Sequence, residues 1–326
     1  MKRLCAASAL IASLASPSFA DDKITFQLDW LPGGDKAPIY VCVQEGFCKD
    51  AGFDVTIASG RGSSEAITKL ATGVAQFGSA GLDGVMAAKA TEKVPVEAIM
   101  SIYNMPPDAF FTTKDKGIAA IADVKGKKVV TSPFTSSNVL LPLILKANGL
   151  SDSDITLTKA DPGALGPLMF TGQQDVAIAW LTNVSRYTNQ AKEAGKELVV
   201  LPWAEAGLET YSAALVTNSD YASANPELTK RFVAAFKKSL EFAQANPDKA
   251  AADVVAMVPE LTVDDVKAMW EDTSKLIFND MTEKLGLGSL DATRVASTWA
   301  RVAEAQGLDP ESLDPETAIN RSYLPQ

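Results

Sequence analysis

From Ile24 the chain alternates apolar and polar side chains through Ile24-Thr25-Phe26-Gln27-Leu28-Asp29-Trp30 and breaks at Pro32-Gly33-Gly34, which predicts a half-buried strand and then a loop. Pro38 to Glu45 predicts a helix ended by Gly46, and Phe53-Asp54-Val55-Thr56-Ile57 a second strand. A strand, a helix and a further strand in that order imply parallel pairing in an α/β sheet. The rhythm repeats. Gly60-Arg61-Gly62-Ser63-Ser64-Glu65 opens a helix to about Thr72, Ala75 to Ser79 reads as a strand, Gly84 to Ala90 as a helix, and Val96 to Tyr103 as a strand.

A strand around Phe110-Phe111-Thr112-Thr113 leads into Lys114-Asp115-Lys116-Gly117, after which the rhythm starts afresh. The strands then expected are Lys127–Thr131, Ile155–Thr158, Val176–Trp180 and Val199–Leu201, with helices from Thr135 to about Ala147 and from Gly163 to Thr171. Ala213-Ala214-Leu215-Val216-Thr217 is expected to carry the chain back. Beyond Asn225 the pattern is nearly all helical: Pro226 to Ala245, Pro247 to Met257, Thr262 to Leu276, and Asp291 to Ala305. The organisation expected is two similar α/β lobes, residues 21–112 plus 213–326 in one and 113–212 in the other. A ligand cleft lies between them, where strand ends meet helix starts.

The first twenty residues, MKRLCAASALIASLASPSFA, combine Lys2 and Arg3, a short apolar run and a small-residue end at Ser18-Phe19-Ala20. This is the pattern of a cleavable export signal, too short in its apolar part to span a bilayer. Its removal takes Cys5 away and leaves Cys42 and Cys48. An exported pair is a disulfide candidate, but six residues of continuous helix would separate the Cα atoms by about 9 Å. A bridge therefore requires the helix to end near Gly46, and the alternative is two small buried apolar side chains.

Composition narrows the function. The 326 residues include 47% hydrophobic and 21% charged positions, an ordinary balance for a chain that buries a core. Histidine is absent, which removes the Ser-His and Cys-His pairs and the commonest ligand of catalytic zinc. With 30 basic against 40 acidic residues the formal charge is −10, so no nucleic-acid partner is expected. Gly60-Arg61-Gly62 has Glu65 where a dinucleotide loop needs its third glycine, and no phosphate-cradling loop or nucleophile elbow is present. No cofactor or metal is expected.

What remains is recognition chemistry. Gly62-Ser63-Ser64 and Thr135-Ser136-Ser137 pair free helix N–H groups with small hydroxyls, suited to holding a polar or anionic group, or serving only as caps. Trp30, just past the first strand, is placed to stack on a planar ligand, with a core tryptophan as the alternative. Tyr103, Trp180, Asn183 and Tyr211 fall at or past other strand ends and add stacking and hydrogen bonds. Asp29 precedes Trp30 and is a candidate acceptor for amino groups, though strand alternation puts it on the opposite face. Arg61 is the cationic candidate for an anion, or else a solvated loop charge.

Leu28-Asp29-Trp30-Leu31-Pro32, Tyr40-Val41, Glu45-Gly46-Phe47, Arg61 to Ala66, Gly73 to Gly78, Asp123 to Val129 and Gly172 to Ala177 together resemble the substrate-binding proteins of ABC importers. The family meant takes thiamine pyrimidine precursors, sulfonates, taurine and nitrate. The resemblance covers most of the chain after residue 20. It implies a two-lobed, type II-like periplasmic clamp, a small-molecule ligand, an inner-membrane permease with a separate ATPase subunit, and a monomer. In the pyrimidine branch the Leu-Asp-Trp-x-Pro segment is followed by Asn and, three residues on, His; here Gly33 and Lys36 stand there. A eukaryotic pyrimidine synthase of the same fold uses a cysteine-rich motif and histidine, and this chain has neither. The reading is a binder of a small planar polar molecule such as a pyrimidine vitamin precursor. The alternatives are a binder of a small sulfonate, carboxylate or nitrate, and an exported enzyme working without histidine.

Overall fold

The structure, a computed structural model, describes residues 21–325; the expected export signal, residues 1–20, lies outside them. Two five-stranded sheets carry the fold, each flanked by helices. The first contains β1 (Asp22–Gln27), β2 (Phe53–Ala58), β3 (Phe77–Gly81), β4 (Val96–Ser101) and β10 (Ala213–Asn218), in the order β2-β1-β3-β10-β4. The second contains β5 (Asp108–Thr113), β6 (Lys128–Thr131), β7 (Thr156–Lys159), β8 (Val176–Trp180) and β9 (Leu198–Pro202), in the order β7-β6-β8-β5-β9.

The two orders match. In each sheet the consecutive βαβ strands pair in parallel, as β1 does with β2 and β3, and β6 with β7 and β8. The fourth position of each is taken by a strand antiparallel to its neighbours, β10 and β5, contributed where the chain changes lobes. The Phe110–Thr113 strand thus belongs to the second sheet. The chain leaves the first sheet after Ser101, ahead of the 112/113 boundary expected from the sequence. Alternation identifies a strand but not the sheet that it joins.

The helices of the first half are α1 (Ala37–Gln44), the single turn α2 (Phe47–Asp50), α3 (Ser63–Ala71) and α4 (Leu82–Glu92). In the second lobe lie α5 (Ser137–Ala147), α6 (Leu165–Phe170) and α7 (Val184–Glu193). The remainder are α8 (Ser219–Ala224), α9 (Pro226–Ala245), α10 (Pro247–Met257), α11 (Val263–Ser274), α12 (Asp280–Leu285) and α13 (Ala292–Gln306). Helix α7 was not expected: its surface is mostly polar, with only Tyr187 and Ala191 buried, so its apolar stripe is too thin to read. Helix α12 buries none of its residues fully and was missed for the same reason.

The helix α1 ends at Gln44, and Gly46 takes φ 76, a left-handed conformation that suits glycine and turns the chain into α2. That reversal brings Cys42 and Cys48 to a Cα separation of 5.0 Å, where they form a disulfide. Behind the first sheet, Phe26, Phe77, Phe232 and Phe236 form an aromatic core, with Phe77 stacked on Phe232 at 4.1 Å between centroids. Helix α13 packs on both α4 and α5, so one core cluster runs from Leu70 and Val85 of the first lobe through Trp299 to Leu140 and Ile144 of the second.

Candidate functional site

Between the lobes lies a narrow, partly open cavity. Asp29, Trp30, Asp35, Gly62 and Ser63 line it from the first lobe; Thr135, Ala179, Trp180, Thr182 and Asn183 line it from the second. Strand β1 stops at Gln27, so strand alternation no longer governs the next residues, and Asp29 and Trp30 reach the same cavity instead of opposite faces. The loop that follows turns through a short 3-10 segment, Gly34–Lys36, and returns Asp35 and Lys36 beneath them.

Lys36 is the centre of a buried charge cluster. Its Nζ stands 2.6 Å from Asp29 Oδ1 and 2.9 Å from Asp35 Oδ2, with all three side chains at most 5% exposed. Ser79 Oγ donates to Asp29 Oδ1 at 2.6 Å, and Tyr103 OH donates to the Asp35 carbonyl at 3.2 Å. Burial opposes the Lys36 charge, but Asp29 and Asp35 outweigh it and hold the ammonium protonated well above the ordinary lysine range. The same Nζ lies 5.7 Å from the centroid of the Trp180 ring, a cation–π contact across the cleft.

Behind Trp180 sits a second acidic pair. Trp180 Nε1 donates to Asp108 Oδ1 at 3.1 Å, and Ser137 Oγ donates to the same oxygen at 2.6 Å. Asp83, at the start of α4, is 2% exposed, and its Oδ1 has no hydrogen-bond partner in the protein; the Ser136 hydroxyl beside it has none either. Burial, with the Asp108 charge adding to it, pushes the Asp83 carboxyl up to about 7. Burial pushes Asp108 up to about 6 against the bonds from Ser137 and Trp180. Two buried carboxylates, Asp29 and Asp35, thus share one buried ammonium on the cavity wall, and the Asp83 and Asp108 pair lies behind it. Such a site stabilises a cation or a hydrogen-bond donor and repels an anion.

The structure brings Trp30, Gly62, Ser63, Thr135, Trp180 and Asn183 together at the cavity. Ser137 stands just behind it through Asp108, Ser136 beside Asp83, and Tyr103 edge-on to Trp180 with ring centroids 5.9 Å apart. Ser64 is exposed and donates its hydroxyl to the Phe134 carbonyl. Arg61 stays outside: its guanidinium stacks 4.7 Å from the Phe134 ring and pairs with Glu65, with its side chain 51% exposed. Tyr211 is also elsewhere, its hydroxyl accepting from the Asp291 backbone and its ring under Arg294. Sequence reasoning missed Asp35, Asp83 and Asp108. Asp108 opens a strand and Asp83 a helix, positions where a lone carboxylate carries no pattern, and they meet only when the lobes face each other.

Comparison with known proteins gives a consistent picture. A family model described as NMT1/THI5 like matches residues 34–250. A thiamine biosynthesis protein of Haemophilus influenzae is 28% identical over 301 residues, 92% of each chain. The riboflavin-binding protein RibY of Chloroflexus aurantiacus is 25% identical over 93% of this chain and 86% of its own. A 4-amino-5-hydroxymethyl-2-methylpyrimidine phosphate synthase of Saccharomyces cerevisiae is 25% identical over 74% of this chain and 73% of its own. Among solved structures, the alkanesulfonate-binding protein SsuA of Xanthomonas axonopodis bound to MOPS superposes with a TM-score of 0.72 at 17% identity, over 94% of this chain and all of that one. The last likeness shows a periplasmic-binding-protein fold.

Proposed function

This chain belongs to the NMT1/THI5-like family, and on that premise we propose that it is the periplasmic capture component of an ABC importer for a small, planar, amine-bearing heteroaromatic molecule such as a pyrimidine vitamin precursor. The ligand enters between Trp30 and Trp180, and its amino groups donate to Asp29 and Asp35. Stacking on an aromatic platform contributes about 1–3 kcal/mol, and hydrogen bonds to charged acceptors about 1.5–3 kcal/mol each. The loaded clamp then delivers its cargo to an inner-membrane permease with a separate ATPase subunit.

The observation that carries this reading is the charge of the cleft. Its carboxylates exceed its single buried cation, Lys36, and that cation is already engaged by Asp29 and Asp35. A sulfonate, carboxylate or nitrate would meet unfavourable charge there, and Arg61, the cation expected to hold it, faces solvent beside Glu65. The reading is of a binder and not of an enzyme: the chain has no histidine for the chemistry of the synthase relatives, and a stacked, hydrogen-bonded ligand needs no reacting group. The residue 1–20 pattern supports export, and among the described residues no helix is long and apolar enough to cross a membrane.

A thermal-shift panel tests the ligand class. Saturation at a hundred times the dissociation constant adds about 2.7 kcal/mol of stability. Aminopyrimidines or riboflavin are expected to raise the melting temperature, while taurine, MOPS and nitrate leave it unchanged. A rise with the anions alone contradicts the reading.

A further inference from the structure

Two helices that start at the cleft lack a cap of their own. Helix α3 begins after Gly62, which has no side chain to offer, and helix α7 begins after Asn183, whose amide donates instead to the Trp180 carbonyl. An uncapped helix start leaves backbone N–H groups that need an acceptor. In each case the acceptor comes from the other side of the cleft. Ser64, in the first turn of α3, donates its N–H at 3.0 Å and its hydroxyl at 3.2 Å to the carbonyl of Phe134 in the second lobe. Ser185, in the first turn of α7, donates its N–H at 3.0 Å and its hydroxyl to Asp272 Oδ2 on α11. Helix α11 packs its Val266 and Trp270 into the core of the first lobe and also lies against the Gly34–Lys36 turn.

We propose that Asp272 and the Phe134 carbonyl form a reciprocal clasp, each lobe capping a cleft helix of the other, so that the two caps form and break together as the lobes close and part. Asp272 is in this sense a positioning residue. By taking the Ser185 N–H it relieves Asn183 of capping α7 and leaves that side chain on the cavity wall. Gly62 serves the opposite cap: a Cβ there would stand 2.1 Å from the Phe134 carbonyl carbon, so only glycine lets the two lobes approach this closely. Two further contacts lie on the same seam. Ser132 Oγ donates to the Arg61 carbonyl at 2.7 Å, and Asn189 Nδ2 donates to Asp265 Oδ1 at 2.8 Å. The clasp goes beyond the proposed function, since it concerns closure and not what is captured.

Amide hydrogen exchange followed by NMR, with no ligand added, tests it independently of the ligand assignment. Asp272→Ala is expected to speed exchange about fivefold, the factor that a cap of ordinary strength gives, at Ser185 and equally at Ser64 on the other lobe. Asp272→Asn keeps an acceptor oxygen and is expected to stay within about twofold of the parent at both sites. Faster exchange at Ser185 with Ser64 unchanged would mean a local cap and overturn the clasp, as would no change at either. Gly62→Ala tests the link from the other end. It is expected to speed exchange at Ser185, which it does not touch, and an unaltered Ser185 overturns the proposal.

Discussion

The ammonium of Lys36, held by Asp29 and Asp35 in the first lobe, reaches 5.7 Å from the ring centroid of Trp180 in the second, so the charge cluster and the aromatic wall of the cleft are one unit. The arrangement explains how two carboxylates stay buried side by side on the wall of the cavity. Lys36 supplies the compensating charge.

Removing that ammonium leaves two buried carboxylates uncompensated. Lys36→Ala is expected to lose about 3–5 kcal/mol of stability at neutral pH. The loss shrinks at acidic pH, where protonation neutralises the carboxylates. Urea denaturation at two pH values checks this, and an equal loss at both would show that the residue matters for packing alone.

The Asp83 and Asp108 pair gives a pH dependence of definite sign. Both carboxyls lie above their ordinary 3.8 in the folded protein, at about 7 and about 6. Below about pH 4 both are protonated in either state, and the fold bears no cost. As the pH rises towards 7 the unfolded chain releases protons that the fold still holds, so this contribution to stability is lost, and it levels off above the folded values. Asp83→Asn is expected to flatten that segment of the stability curve between about pH 4 and 7. A curve parallel to the parent's would mean that Asp83 ionises in the fold as readily as in water.

Trp30→Ala is expected to weaken aminopyrimidine binding by about 1–3 kcal/mol, by analogy with base stacking on aromatic platforms. Trp30 is only half-buried, so the fold is expected to survive, and calorimetric titration reads the affinity directly.

Arg61 gives the complementary test. Its guanidinium is solvent-facing and paired with Glu65, so Arg61→Ala is expected to change both stability and aminopyrimidine affinity by less than about 0.5 kcal/mol. A large, selective loss of sulfonate binding in this variant would restore the anion reading.

How far the chain announces its own structure depends on the range of the signal. The strand-helix rhythm is local, so β1 to β3 and β6 to β8, with the helices between them, follow from periodicity and from turn residues such as Pro32-Gly33-Gly34. The antiparallel place of β5 is a long-range fact: Phe110 pairs with Ile178 and Leu201, and nothing within β5 encodes either partner. At the site, Trp30, Gly62, Ser63, Thr135, Trp180 and Asn183 were legible because strand ends and helix starts gather where α/β lobes face. Tyr211 met the same rule yet turned towards α13, since a position at a strand end says nothing about which face the ring takes. Beyond Asp29, the acidic character of the cleft was not legible. Asp29, Asp35, Asp83 and Asp108 are scattered over eighty positions, and only folding brings Asp29 and Asp35 to Lys36, Asp108 to Trp180 and Asp83 towards Asp108.

Stacking of an amine-bearing heteroaromatic ligand on Trp30 is tested by calorimetric titration of the protein with 4-amino-5-hydroxymethyl-2-methylpyrimidine, repeated with MOPS and repeated on Trp30→Ala. Saturable binding of the aminopyrimidine, weakened about 5- to 150-fold by the substitution, is expected, with no heat of binding for MOPS. Saturable binding of MOPS with none of the aminopyrimidine, unaffected by Trp30→Ala, would contradict that stacking.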